Sequence, residues 1–255
     1  MCWKQTRMIE RSVEEIKEQY EFEAPTFDCW RDNSKYYNIV TEITQRCIRE
    51  NLRFVSDEKK VLDAGCGTGR NIDLLLKLGA QEAVGIDLTP SLLGQAQRKF
   101  GGNSKVKLFI HNLNDPLPFE DSSFDAIICC KTLPHVHNIG GVLSEFKRVL
   151  KKGGVMMLDF YSPYSFRRIF YAIRMTYQGK TSHVRWDSVF RVKHFLKKED
   201  LILEKIYGQR TFMVAEILVN NFGLHHVFRW LENRFTNNNF FNQFSGRFNV
   251  VLKKP

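Results

Sequence analysis

The stretch Lys60-Val61-Leu62-Asp63-Ala64-Gly65-Cys66-Gly67-Thr68-Gly69-Arg70 constrains this chain more than any other. A short apolar run, flanked by Lys59 and Lys60 on one side and by alternating glycines on the other, reads as a buried strand that turns sharply into a helix. The helix carries Ile72, Leu74, Leu75, Leu76 and Leu78, apolar almost all round, as suits one laid on a sheet. Glycines at alternate positions strip Cβ atoms from the turn just where backbone and ligand would approach. The stretch reads as a nucleotide-binding turn at the head of an α/β core, and its spacing decides among nucleotides.

The dinucleotide fingerprint G-x-G-x-x-G seats a pyrophosphate on a helix N-terminus, but counted from Gly65 and Gly67 its third glycine falls on Arg70. No Gly-Lys-Ser/Thr follows, which excludes the P-loop. What remains is Asp-x-Gly-x-Gly-x-Gly, with Asp63 closing the strand. A carboxylate at the lip of the turn repels phosphate and favours an ammonium. The run Glu82-Ala83-Val84-Gly85-Ile86-Asp87 reads as the next strand. It ends in an acid about 20 residues past the turn, where a carboxylate accepts from both hydroxyls of a ribose. The bland alternative is an α/β domain with a tight turn and two unrelated acids.

This pattern resembles the first motif of the class I S-adenosylmethionine (SAM) dependent methyltransferases, of the type 11 and 25 kind, with a core like that of the ubiquinone and menaquinone methyltransferases. The resemblance implies a Rossmann-like α/β fold: a mostly parallel seven-stranded sheet with helices on both faces and a helical lid. It also implies SAM, whose amino-acid head and sulfonium carry no phosphate, as cofactor. The motifs are strong over residues 60–160 and loose on the flanks.

At 255 residues, 43% apolar and 26% charged, the chain can bury one large α/β core. We expect a single domain: leader helices over residues 1–58, a SAM-binding core over 59–160, and a substrate lid with closing strands over 161–255. No apolar run nears the ~20 residues of a membrane span and Met1-Cys2-Trp3-Lys4 begins no signal peptide, so a cytoplasmic location is expected. Six cysteines (2, 29, 47, 66, 129 and 130) contain no C-x-x-C and read as reduced thiols, without metal. The formal charge is +10, and residues 161–255 account for that excess with 16 Lys/Arg against 6 Asp/Glu, together with 19 of the 33 aromatic residues. Any anionic partner is expected there.

Along the chain, residues 7–20 show an amphipathic pattern through Met8, Ile9, Val13, Ile16 and Tyr20. Pro25 breaks it, and Asp32 or Asn33 offers a cap for a second helix running through Ile48. The resemblance implies that these leader helices fold over the cofactor, making Tyr20, Trp30, Arg31, Tyr36 and Tyr37 candidates to close the pocket or merely to pack. Thr89-Pro90-Ser91 starts a helix that reaches Phe100, and residues 105–110 supply a third strand. After it, Asn112, followed by Leu113, stands where similar enzymes carry an Asp that contacts the adenine amine; an Asn carbonyl can accept in its place, and Asp115 is the rival. Residues 123–130 form a fourth, central strand ending at Lys131-Thr132-Leu133-Pro134-His135-Val136-His137, which should line the site. The two histidines lack partners at metal-ligand spacing. The resemblance places His135 near the methyl group, as a general base or as packing.

A helix over 142–150 ends through Lys151-Lys152-Gly153-Gly154, and 155–160 form the fifth strand. Residues 166–177 read as a basic, aromatic helix able to cap a pocket, lie on an anionic membrane or grip phosphates. A strand at 201–207, a helix at 224–235, a polar loop at 236–239 and a closing antiparallel strand at 248–252 complete the chain, the last by resemblance. By the resemblance, the cofactor contacts are Asp63, Gly65, Cys66, Gly67, Gly69, Asp87, Leu88, Asn112, Leu113, Lys131 and Tyr20. The expected reaction is methyl transfer to O, N or C of a small apolar or aromatic acceptor, an anionic one included. An RNA methyltransferase using the basic last third, and a SAM-binding regulatory protein without catalysis, are the alternatives.

Overall fold

The apolar runs of the sequence become seven strands: β1 (Lys60–Ala64), β2 (Glu82–Asp87), β3 (Val106–Ile110), β4 (Phe124–Cys129), β5 (Leu150–Tyr161), β6 (Ile202–Gln209) and β7 (Arg247–Lys253). The structure is a computed structural model and describes residues 12–52, 59–165, 168, 184–209, 223–235, 242 and 244–255. The strands form one sheet in the order β3-β2-β1-β4-β5-β7-β6. Neighbours from β3 through β5 pair in parallel, and β7 runs antiparallel to both β5 and β6. This is the Rossmann-like, mostly parallel seven-stranded sheet that the motifs imply, closed by the antiparallel strand expected near the C-terminus.

Eight helices are described: α1 (Val13–Glu23), α2 (Phe27–Asn33), α3 (Lys35–Asn51), α4 (Arg70–Lys77), α5 (Pro90–Phe100), α6 (Ile139–Val149), α7 (Val189–Lys198) and α8 (His225–Phe235). Side chains alternate across each strand, so β1 sends Leu62 and Ala64 to one face and Val61 and Asp63 to the other. Leu62 and Ala64 join Ile127, Leu158 and Val250 under Phe146 of α6 and Val192 and Leu196 of α7. On the opposite face Val61, Ile128 and Met157 meet Ile39, Ile43 and Cys47 of α3, Leu75 of α4 and Phe228 of α8. Both faces of the central strands are buried, which is why they read as continuous apolar runs. No described helix is long and apolar enough to cross a membrane.

Several local expectations need correction. Helix α1 begins at Val13, where Ser12 is its extended N-cap and forms a capping box with Glu15; the part of the expected helix over residues 7–11 lies outside the described residues. Pro25 does break the first helix, which stops at Glu23, but it sits in a 3-10 turn, Ala24–Thr26, that passes directly into the unexpected short α2. The cap of α3 is Ser34, whose hydroxyl accepts from Tyr37 N at 3.3 Å, not Asp32 or Asn33, which belong to α2. Thr89 holds the N-cap position of α5 without a capping bond from its own side chain.

Lys151-Lys152-Gly153-Gly154 does not follow the helix as a turn. It lies inside β5, where the register against β4 shifts between Phe124↔Leu150 and Ala126↔Val155, so the extra residues bulge out. Helix α7 has no counterpart among the sequence expectations; the lid helix at 166–177 and the loop at 236–239 lie outside the described residues, apart from Arg168.

Candidate active site

The strand order reverses between β1 and β4, and ligands of open α/β sheets bind outside the carboxyl ends of the strands at such a point. A cavity lies there, lined by the glycine turn, the segments after β2, β3 and β4, and residues of α1, α2 and α3.

The turn is stitched to β2: Gly65 N and Cys66 N both donate to Ile86 O, at 2.7 and 3.0 Å. Gly65, Gly67 and Gly69 have φ of 80°, 53° and 77°, a region that glycine enters without steric cost. Thr132, from the segment after β4, fills the space that a Cβ on Gly65 would need. The ends of β1 and β4 can therefore meet only over a glycine. Gly67 faces the cavity, with the edge of Phe27 3.8 Å from where its Cβ would stand. Gly69 turns away: a Cβ there would press on Phe100 and Ala96, so this glycine seats α5 and does not line the cavity.

Asp87 lines the cavity, and its carboxylate is oriented by the backbone. Its Oδ2 accepts from Gly67 N at 2.8 Å and its Oδ1 from Thr89 N at 2.9 Å. Burial pushes its pKa up, against the opposing pull of those amides. Asp63 is placed otherwise than at the lip of the turn. It shares the strand face of Val61, is 0% exposed and does not line the cavity. Burial first, then the charge of Asp87, push its pKa up to about 7, while Asn71 of α4 eases the shift without reaching hydrogen-bond geometry.

Of the residues expected to contact cofactor or substrate, Cys66, Leu88, Asn112, Leu113, Lys131, Tyr20 and His135 line the cavity. The Asn112 Oδ1, the carbonyl expected to meet an adenine amine, accepts from Asn114 N and Nδ2, both at 3.0 Å, which leaves its Nδ2 as the donor for a ligand. Asp115, the rival, is exposed and outside the lining. Lys131 has φ of 68°, and its backbone N donates to Asp159 Oδ1 at 2.7 Å. Asp159 in turn pairs with the buried Arg247 at 3.1 Å, anchoring the segment after β4 to β5 and β7. His135, in a 3-10 turn, has its Nε2 3.0 Å from Tyr20 Oη, with the rings edge to face at 5.5 Å. Burial raises the Tyr20 hydroxyl pKa further above its ordinary value.

The leader covers the cavity through a polar latch. Asp28 of α2 accepts from Thr68 Oγ1 at 2.9 Å, Arg70 Nε at 2.8 Å and Lys99 Nζ at 2.7 Å, while Arg70 also reaches Asp32 at 2.7 Å. Burial alone would raise the Asp28 pKa, but these donors outweigh it and hold it low. Gln95 Nε2 donates to Ala24 O at 2.6 Å beside them. Of the aromatic and basic leader residues expected to close the pocket, Tyr20 and Arg31 do; Trp30 and Tyr37 pack on each other outside the lining, their rings 4.5 Å apart. The side chain of Tyr36 lies outside what the structure describes. Thr132 lines the cavity within the segment 131–137 expected there, while Phe27, Asn71 and the Thr41, Thr44 and Gln45 face of α3 line it beyond the expected set. Only their approach in space selects these others.

The methyltransferase domain family matches residues 62–158. A demethylmenaquinone methyltransferase of Tropheryma whipplei is 36% identical over 124 residues, 48% of this chain and 51% of that protein. A ubiquinone biosynthesis O-methyltransferase of Xanthomonas oryzae pv. oryzae is 35% identical over 102 residues, 39% of this chain and 42% of that protein. The chain thus spans about half the length of the curated relatives it matches. Among solved structures, the cyclase SpnF shares the fold with a TM-score of 0.70 at 14% identity, over 96% of this chain and 97% of that one. The sequence match and the fold coincide from β1 through most of β5, so residues 62–158 form a methyltransferase-like domain on the Rossmann-like sheet.

Proposed function

We propose that this chain binds SAM in the cavity and transfers its methyl group to O, N or C of a small apolar or aromatic acceptor. The observation that carries the reading is Asp87, a cavity-lining carboxylate whose two oxygens are fixed by Gly67 N and Thr89 N, an oriented acceptor of the kind a pair of ribose hydroxyls requires. Leu88 and Leu113 supply apolar walls for a purine, Asn112 Nδ2 a donor toward its edge, and the bare backbone of Gly65 and Gly67 a bed for the amino-acid end. Asp63 acts from beneath the turn, as a negative charge near that end rather than as a direct ligand. SAM supplies a methyl carbon made electrophilic by its sulfonium, so the protein's work is to hold the acceptor in line and to exclude water.

The leader latch of Asp28 does the excluding. The Tyr20–His135 pair faces the same space, and a phenolic acceptor, whose pKa near 10 keeps it protonated at neutral pH, would give its proton to Tyr20 Oη as the Tyr20 hydroxyl passes its own to His135 Nε2. The names of the two relatives, which refer to menaquinone and ubiquinone, support an apolar ring as the acceptor. In the basic last third, Arg185, Arg191, Arg229 and Arg247 each pair with an acid of the chain, which favours this reading over RNA binding. We read residues 1–58, 59–160 and 161–255 as leader, cofactor core and lid with closing strands of one domain, supported by the shared sheet that β6 and β7 complete.

Incubation with methyl-labelled SAM and hydroxylated benzoquinols, followed by extraction, should move label into the organic phase. Label that enters only RNA, with steeply salt-dependent RNA affinity, would replace this reading by the nucleic-acid one. Saturable SAM binding without any label transfer would favour a regulatory role.

A further inference from the structure

One cation at the cavity lacks a negative partner among the described residues. Arg31 of α2 lines the cavity roof with its guanidinium stacked on Phe27, 3.6 Å from the ring centroid. Its Nε is shielded from solvent and has no hydrogen-bond acceptor among the described residues. The acids nearest in sequence are already committed: Asp28 to Thr68, Arg70 and Lys99, and Asp32 to Arg70. The groups that act most on Arg31 are the Tyr20 and Tyr37 hydroxyls and the cations of Arg70 and Arg247, with no carboxylate among them. Burial lowers its pKa, the sign of a desolvated charge without compensation.

A guanidinium with its Nε shielded from water and its centre over an aromatic ring at the wall of a ligand cavity is arranged for a carboxylate supplied by the ligand. We propose that Arg31 is the anion receptor of this cavity and takes the carboxylate of a bound molecule, either the amino-acid carboxylate of SAM or one on the acceptor. The proposal rests on the cofactor placement given above. The Phe27 ring that carries Arg31 borders Gly67, so the receptor stands over the glycine turn, within the same ceiling as Tyr20.

Calorimetry on wild type, Arg31→Gln and Arg31→Lys tests this with three probes: S-adenosylhomocysteine, 5′-methylthioadenosine, which lacks the amino-acid end, and benzoate added to the S-adenosylhomocysteine complex. If the carboxylate is the cofactor's, Arg31→Gln weakens S-adenosylhomocysteine roughly ten- to a hundredfold, leaves methylthioadenosine unchanged, and Arg31→Lys falls between. If it is the acceptor's, Arg31→Gln keeps both nucleosides and loses the benzoate binding that wild type shows. Arg31→Gln that matches wild type for all three probes overturns the proposal alone. Wild type that binds neither nucleoside overturns the cofactor placement and the proposal together. Thermal melting of the ligand-free variants supplies the control: an uncompensated cation predicts that Arg31→Gln melts no lower than wild type, whereas a merely packing Arg31 predicts a lower melting point with unchanged probe affinities.

Discussion

Replacing Asp63 by Asn should stabilise the protein without ligand above neutral pH and leave it unchanged in acid. The Asp63 carboxyl is wholly buried on the α3 and α4 side of β1, with no strong donor on either oxygen. Its folded-state pKa of about 7, against an ordinary 3.8, means that the folded chain holds this proton more tightly than the unfolded one. Stability is then fully present below pH 3.8 and is lost as pH rises toward 7. At about 1.4 kcal/mol per pH unit, the interval between those values corresponds to a loss of about 4 kcal/mol at pH 8 and above.

An asparagine side chain in the same place has no charge to desolvate and keeps the shape, so Asp63→Asn should exceed wild type by a few kcal/mol at pH 8 and match it near pH 4. Urea unfolding followed by far-UV circular dichroism at both pH values measures the difference. The same variant should bind S-adenosylhomocysteine more weakly at pH 8, where the lost negative charge no longer attracts the ammonium. A stability difference that is flat from pH 4 to pH 8, or a variant less stable at pH 8, would refute the account of Asp63 as an uncompensated buried acid.

Asp87→Ala should cost ~1.5–3 kcal/mol of S-adenosylhomocysteine affinity through lost charge-assisted hydrogen bonds, read by calorimetry, with little change for a cofactor analogue that lacks both ribose hydroxyls. Gly65→Ala combines a left-handed backbone with a collision against Thr132 and should destabilise by roughly 2–5 kcal/mol, and Thr132→Ala in the same chain should recover part of the loss in a thermal melt. His135→Gln should lower kcat on a phenolic acceptor by about 10²–10⁴ with little effect on cofactor affinity. Equal loss of both would make His135 a packing residue for the cofactor.

The glycine turn and Asp87 are legible because local geometry alone demands them: a strand that ends in alternating glycines can only turn tightly, and an acid at the tip of the neighbouring strand faces the same edge of the sheet. Gly69 shares their pattern but not their role, since the direction in which a missing Cβ would point depends on α5 packing behind it. Asp63 is legible as a strand residue but not as a buried one, and its expected place at the lip fails for that reason. Alternation along β1 shows that it shares a face with Val61 but not that α3 and α4 cover that face. The 3-10 turn at Pro25 and the short α2 meet Gln95, Thr68, Arg70 and Lys99 far along the chain, and the bulge in β5 is set by its pairing with β4; periodicity registers none of these.

Order along the chain, the two-sided burial of the central strands and the chemistry of the turn follow from residue type and spacing, which act over a few neighbours and need no distant partner. The roof of the cavity came only from tertiary structure. Asp28 meets Thr68, Arg70 and Lys99 across some forty to seventy residues, and Arg31 is left facing the cavity because those contacts consume the acids beside it. Which charges cancel within a protein and which remain for a ligand is a property of three-dimensional neighbours, and composition reports only their sum.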